Sequence, residues 1–159
     1  MTASLVADLI DAHAASLRLY ARQWCASPDD AVQDAFCKLV TTRTVLDDPA
    51  AWLFRTVRNA AIDRGRADSR RKKREERVAK TESWFEERMI DGVDACEAIA
   101  ILDSLPGEQR EIIVARLWGG LTLEQAANAA GCAVSSAHRR YEAGIAGLRE
   151  RLGVECLKK

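Results

Sequence analysis

The stretch Leu121-Thr122-Leu123-Glu124-Gln125-Ala126-Ala127, followed by Gly131-Cys132-Ala133 and Val134-Ser135-Ser136-Ala137-His138-Arg139-Arg140-Tyr141, decides the fold of the last third of the chain. The Thr122 hydroxyl can accept from the first free backbone N–H groups of a helix, and Gln125 can reach back to complete a capping box. Alanines at 126, 127, 129 and 130 favour helix and carry almost no bulk. A second helix can therefore cross at close range before Gly131 supplies a left-handed helix end. The spacing predicts a helix-turn-helix. Its second helix opens with two serines, a histidine and two arginines, all able to hydrogen-bond phosphates or base edges, and arginine can grip guanine bidentately. Ser135, Ser136, His138, Arg139 and Arg140 are thus the residues expected to meet a DNA duplex. The competing reading is a helical hairpin with a solvated basic face.

Outward from this motif, the charges settle whether a nucleic acid fits the rest of the chain. The net charge is zero, yet Trp52 to Lys80 holds eleven basic residues against four acidic ones, a surplus of seven that the remainder must balance. Such a block is an electrostatic footprint for phosphates, with binding driven by counterion release. It is interleaved with Trp52, Leu53, Phe54, Val57 and Ile62 at helical spacing, so the basic residues are displayed on a folded helix. Trp52, spaced with Phe54 and Val57, is read as core before stacking platform.

Two more helices are expected before this one. Leu5, Leu9, Ala12, Leu17, Tyr20, Ala21 and Trp24 fall on helical faces; Ser27-Pro28 breaks the pattern; Asp29 and Asp30 are acids suited to a first turn. The next helix offers Val32, Phe36, Leu39 and Val40 for packing and turns Asp30, Gln33, Asp34 and Lys38 outward. Thr41 to Pro49 is a polar loop ending in an Asp-Pro helix start. Residues 81–96, acidic and interrupted by Gly92, are expected to link two domains, with a short helix near Trp84-Phe85. Beyond them Ala98, Ile99, Ile101 and Leu102 begin a second helical set. Pro106 starts a helix whose buried stripe is Ile112, Ile113, Leu117 and Trp118, and Gly119-Gly120 ends it. The fold class is all-α: two small helical domains, 1–80 and 97–159, joined by a linker.

Composition excludes several functions. With 159 residues and 48% apolar content the chain can bury one modest core or two small ones. No apolar run is long enough for a membrane span, and Asp8 and Asp11 interrupt any leader-like stretch, so a cytoplasmic protein without membrane insertion is expected. Five scattered cysteines without a C-x-x-C pair argue against disulfides and zinc. They read as small buried residues, with Cys156 as a candidate thiol near the C-terminus. There is no Ser-His-Asp order, no phosphate-cradling glycine loop and no metal spacing, and His13 and His138 lie far apart. No catalytic residue, metal or cofactor is assigned.

Across nearly its whole length the chain resembles a bacterial RNA polymerase sigma factor of the extracytoplasmic-function (ECF) type. In the first half, Pro28-Asp29-Asp30-Ala31-Val32-Gln33-Asp34-Ala35-Phe36 is similar to the family's D-x-x-Q-[DE]-x-F signature. Trp52-Leu53-Phe54 with Asn59 and Asp63, followed by a basic run, is similar to its W-L-x-x-x-x-x-N-x-x-x-D helix. In the second half, Leu102-x-x-Leu105-Pro106-x-x-Gln109-Arg110, Gly120-Leu121-Thr122-x-x-Gln125-Ala126-Ala127 and Leu148-Arg149-Glu150-Arg151-Leu152 resemble its promoter-reading domain. The resemblance implies that Asp30, Gln33, Asp34 and Phe36 contact the clamp helices of core RNA polymerase. It implies that Arg55, Arg58, Asn59, Asp63 and Arg64, with the loop from Thr41 to Asp48, bind and melt the minus-ten promoter element. The helix-turn-helix would read the minus-thirty-five element, its domain would touch the polymerase flap, and an anti-sigma factor is an expected partner. Two departures matter. Gln125 and Ala126 stand around the position of a bulky aliphatic in the family's E-I-A triplet, and Ala137 to Tyr141 replace its common V-K-S-R-L, so the promoter sequence is not inherited. The rival class is a helix-turn-helix regulator that acts without recruiting core polymerase, and the first half lacks the strand–turn–helix alternation of a receiver domain.

Overall fold

A computed structural model describes residues 3–75 and 95–151. Among the described residues there are seven helices and no strands: α1 (Ala3–Ala21), α2 (Pro28–Thr41), α3 (Pro49–Glu75), α4 (Ala95–Ser104), α5 (Gly107–Leu117), α6 (Leu123–Ala130) and α7 (Val134–Arg151). The first three make one domain and the last four a second. The expected helix near Trp84-Phe85 and the thiol of Cys156 lie outside the described residues.

Local chemistry sets the helix starts. In α2, Pro28 occupies the first turn, where its missing N–H costs nothing, and Asp29 and Asp30 complement the positive helix end. Asp48 caps α3 by accepting the Ala51 N–H at 3.0 Å, and Pro49 follows it directly. At the other end of α1 the helix stops at Ala21, and Trp24 sits in the turn beyond it. There α3 passes so close that a Cβ on Gly65 would fall inside the Trp24 carbonyl oxygen. The burial pattern follows the 3.6-residue period, with Ala31, Val32, Ala35 and Leu39 of α2 and Leu53, Phe54, Val57 and Ala61 of α3 all buried. Val40, one step off that stripe, is 62% exposed and not core. Leu117 and Trp118 likewise are exposed, because α5 ends there; Ile112, Ile113, Val114 and Ala115 do the burying instead. Cys25 is buried as expected, whereas Cys37 is exposed.

The largest departure from the sequence reading concerns the cores. One continuous apolar cluster joins Leu17, Tyr20 and Phe54 of the first domain to Ile112, Leu121 and Ala126 of the second. A smaller cluster, Leu102, Leu105 and Ile113, belongs to the second domain alone. Helix α3 packs on α6 and α1 on α5, so the two domains close on one another. Sequence periodicity identifies which face of a helix is apolar but not which partner covers it.

Buried in this contact is Tyr20, fully enclosed, its hydroxyl donating to Glu111 Oε1 at 2.8 Å. Burial raises its pKa well above the usual tyrosine value, and the neighbouring Glu111 carboxylate adds to the shift. The folded state therefore holds a proton that the unfolded chain releases near pH 10. The stability it contributes is complete below that pH and is lost as pH rises toward the folded value. Alkaline unfolding is expected to coincide with the appearance of Tyr20 tyrosinate absorbance. Tyr20→Phe should flatten the fall of the denaturation midpoint above about pH 10.

Candidate nucleic-acid and polymerase interfaces

The helix-turn-helix is built as its residues dictate. Thr122 and Gln125 form the full capping box: the Gln125 N–H donates to Thr122 Oγ1 at 3.2 Å, and the Thr122 N–H donates to Gln125 Oε1 at 2.6 Å. Gly131 ends α6 in the left-handed region at φ 67°. Ala126, Ala127, Ala129 and Ala130 are all buried, and their small side chains let α5 and α7 cross α6 closely. On α7, Ser135, His138 and Arg139 are exposed, while Ser136 is half-buried. Arg139 Nη2 lies 3.5 Å from Ser136 Oγ, and His138 Nδ1 lies 3.3 Å from Glu142 on the next turn. Arg140 differs. Its side chain is 26% exposed and ion-paired to Glu108 at 2.8 Å, which ties α7 to α5. The five residues expected to read a duplex thus divide into an open set and one that also braces the motif.

Helix α3 divides its expected residues as well. At 100° per residue, Arg55, Asn59, Ile62, Arg66 and Arg70 recur at steps of four, three, four and four and share a face opposite Leu53 and Phe54. Arg55 and Asn59 are exposed there. Asp63 is also exposed and sits 3.8 Å from Arg66. Arg58 turns away from this face: its Nε is 2.5 Å from Glu111 of α5, and its guanidinium lies over the Trp24 ring at 5.7 Å. Burial works against its charge, but the Glu111 carboxylate more than offsets this and raises its pKa. Arg64 turns to α2 instead, bonding Asp34 and, at 3.4 Å, Asp30. Residues assigned to strand melting and to polymerase contact are therefore joined by an ion pair. The carboxylates keep much of their surface, with Asp30 58% and Asp34 51% exposed. Gln33 beside them is exposed, and Phe36 is half-buried against the core, beneath the surface they form.

Three features carry no signal in the sequence: two clefts and a buried glutamate. Trp24, Ile62, Arg66, Ser69 and Arg70 line a shallow cleft of about 490 Å³ on the open face of α3. Trp24, expected on a helical face with Leu17 and Tyr20, lies in the turn beyond α1, where it packs against the core and lines this cleft. A second cleft, of about 500 Å³, lies between the two domains, with Asp48, Trp52 and Arg55 on one wall and Thr122, Gln125 and Asn128 on the other. Trp52 packs on the core, as its spacing with Phe54 and Val57 predicts, and its remaining surface lines this cleft. Glu111 sits in a run whose apolar neighbours Ile112 and Ile113 drew attention, and no one-dimensional signal marks a glutamate as buried. Among the described residues no cluster of three metal-ligating side chains occurs, and no helix is long and apolar enough to cross a membrane.

Comparison with known proteins agrees with this geometry. The family description Sigma-70 region 2 matches residues 9–71, and Sigma-70, region 4 matches residues 101–150. A curated relative, the ECF RNA polymerase sigma factor SigJ of Mycobacterium tuberculosis, is 32% identical over 75 residues, or 47% of this chain. The match spans only 22% of that relative's length. Two solved structures share the fold. The sigma factor RpoE from Bartonella quintana, solved in complex with the anti-sigma factor NepR, superposes with a TM-score of 0.76 at 23% identity, covering 98% of this chain and 100% of that one. CnrH, solved in complex with the cytosolic domain of CnrY, superposes with a TM-score of 0.61 at 23% identity, covering 98% and 92%. Two domains in this order, a basic three-helix domain followed by a helix-turn-helix domain and matching regions 2 and 4 in turn, place the chain in the sigma-70 family, among sigma factors of the ECF type.

Proposed function

We propose that this protein is a dissociable promoter-specificity subunit of RNA polymerase that works in the cytoplasm and performs no catalysis of its own. The observation that carries the reading is the tandem of a solvent-facing acidic α2 surface, a basic α3 face and a capped helix-turn-helix in one chain. Residues 1–80 form the core-binding and minus-ten domain, 81–96 the linker and 97–159 the minus-thirty-five domain. Asp30, Gln33 and Asp34, with Phe36 beneath them, meet the polymerase clamp helices, and the second domain contacts the flap. Arg55 and Asn59, joined by Asp63, face the minus-ten element. Arg58 and Arg64 belong to the same surface once their present carboxylate partners release them. The cleft beside Trp24 extends the strand path: an indole and an isoleucine offer an apolar wall for a base, and Arg66 and Arg70 offer charge to its phosphates. Ser135, Ser136, His138, Arg139 and Arg140 read the duplex of the minus-thirty-five element. An anti-sigma factor is a natural partner, since one protein of this fold, RpoE, was solved bound to the anti-sigma factor NepR.

The test is reconstitution. The full chain mixed with bacterial core polymerase at low salt should co-elute with it and support run-off transcription from a cognate promoter. Failure to bind core at low salt would overturn the reading, and duplex binding without core binding would identify a helix-turn-helix regulator instead. Reversing the charge at Asp30 and Asp34 together is expected to weaken core binding at least about tenfold, because close charge pairs across interfaces are worth upwards of 1.5 kcal/mol. Duplex binding should be unchanged.

A further inference from the structure

Glu142 is an acid on the face that α7 offers to a duplex. Ser135, His138, Arg139 and Glu142 recur at helical spacing, so they share one side of the helix, and all four are exposed. That side is fixed from behind. Ala137 and Gly144 are buried on the opposite side, and a Cβ at Gly144 would stand 2.5 Å from Ile113 Cδ1 of α5, so α7 cannot roll about its axis. A carboxylate facing phosphates opposes binding unless it serves another group. The group in its reach is His138, whose Nδ1 lies 3.3 Å from Glu142 Oε2. Charged groups described on the helices packed against α7 are directed elsewhere. On α5, Glu108 holds Arg140, Arg110 pairs with Asp103 of α4, Glu111 binds Arg58 and Arg116 lies over the Tyr141 ring; Glu124 of α6 lines the cleft between the domains.

The pairing decides which nitrogen meets the DNA. An ionised carboxylate can only accept, so Glu142 favours the tautomer with its hydrogen on Nδ1 and leaves Nε2 for the groove. In the neutral ring Nε2 is then an acceptor, matched in the major groove by the amino groups of adenine and cytosine. In the protonated ring both nitrogens donate, and Nε2–H is matched by guanine O6 or N7. One side chain thus carries two codes. Resting on the assignment of α7 to the minus-thirty-five duplex, we infer that His138 is a specificity-determining residue whose preferred base changes with its protonation, and that Glu142 is the positioning residue that fixes its ring. Between about pH 5 and about pH 8, where histidine changes charge, the chain then selects different duplex sequences.

Selection from mixed duplexes tests both roles. The full chain is equilibrated at about pH 5.5 and at about pH 8 with a pool of duplexes randomised over the minus-thirty-five element, and the bound fraction is sequenced. At one position the wild type is expected to favour guanine at the lower pH and adenine or cytosine at the higher. The ratio should change at least about fivefold, the lower end for one base contact. His138→Gln, which does not titrate, should show a single preference at both pH values. Glu142→Ala and Glu142→Gln each remove a negative charge and should tighten binding to every duplex alike. Discrimination separates them. Alanine frees the ring and should bring the base ratio toward one, whereas glutamine, whose amide oxygen still accepts from Nδ1–H, should keep it. A pH effect equal for all sequences makes His138 a phosphate contact and overturns the inference, as does a position-specific change that survives His138→Gln. Undiminished discrimination in Glu142→Ala overturns the positioning role. Enrichment of no sequence at either pH removes duplex reading from α7 itself, and the inference with it.

Discussion

Gly65→Ala is expected to destabilise the first domain by about 3 kcal/mol, the upper range for forcing an extra carbon into a packed interior. Its Cβ would fall inside the Trp24 carbonyl oxygen. The obstacle is backbone on both sides, so no rotamer change relieves it; α1 and α3 must separate, pulling the Tyr20, Trp24 and Phe54 rings from one another. For a chain of this size that corresponds to a fall of about 6–12 °C in Tm. Gly107→Ala is the control. Nothing lies within 4 Å of a Cβ there, in the first turn of α5. It should be neutral or stabilise by up to about 1 kcal/mol, as alanine is the better helix former. Equal midpoints for the two variants in urea would show that the α1–α3 approach is looser than described.

Gly65 also illustrates what could be read in advance. The helix-turn-helix was legible because its signals are local: Thr122 and Gln125 cap one helix, and Gly131 stops it with a left-handed residue. The buried stripes of α2 and α3 were legible for the same reason, a period of 3.6 being written along one element. Contacts between distant residues were not. Nothing near Gly65 in sequence announces Trp24, forty-one positions earlier, and nothing near Glu111 announces Tyr20 or Arg58. The expected minus-ten residues illustrate the limit most clearly. Arg55, Arg58 and Arg64 look equivalent as basic positions, but the helix turns them to solvent, to the second domain and to α2 respectively.

Arg139→Ala is expected to weaken binding of the full chain to its minus-thirty-five duplex by about five- to 150-fold, the range for losing one good base-edge contact of about 1–3 kcal/mol, while leaving the stability within about 0.5 kcal/mol of wild type. The side chain is exposed on α7, and its contact to Ser136 Oγ, at 3.5 Å, is long and at the surface. Arg140→Ala should behave differently. Arg140 is 26% exposed and bonded to Glu108, so its loss also releases α7 from α5. Glu108 itself is 72% exposed, and such a pair contributes no more than about 1 kcal/mol. The expected result is a small loss of stability together with a loss of affinity spread over all duplex sequences. Competition between cognate and scrambled duplexes separates the two: Arg139→Ala should lower their affinity ratio, and Arg140→Ala should lower both affinities in parallel. If Arg139→Ala shifts both duplexes equally and reduces the salt dependence by about one counterion, Arg139 contacts phosphate. Base reading would then rest with Ser135, Ser136 and His138, the other residues at the start of α7.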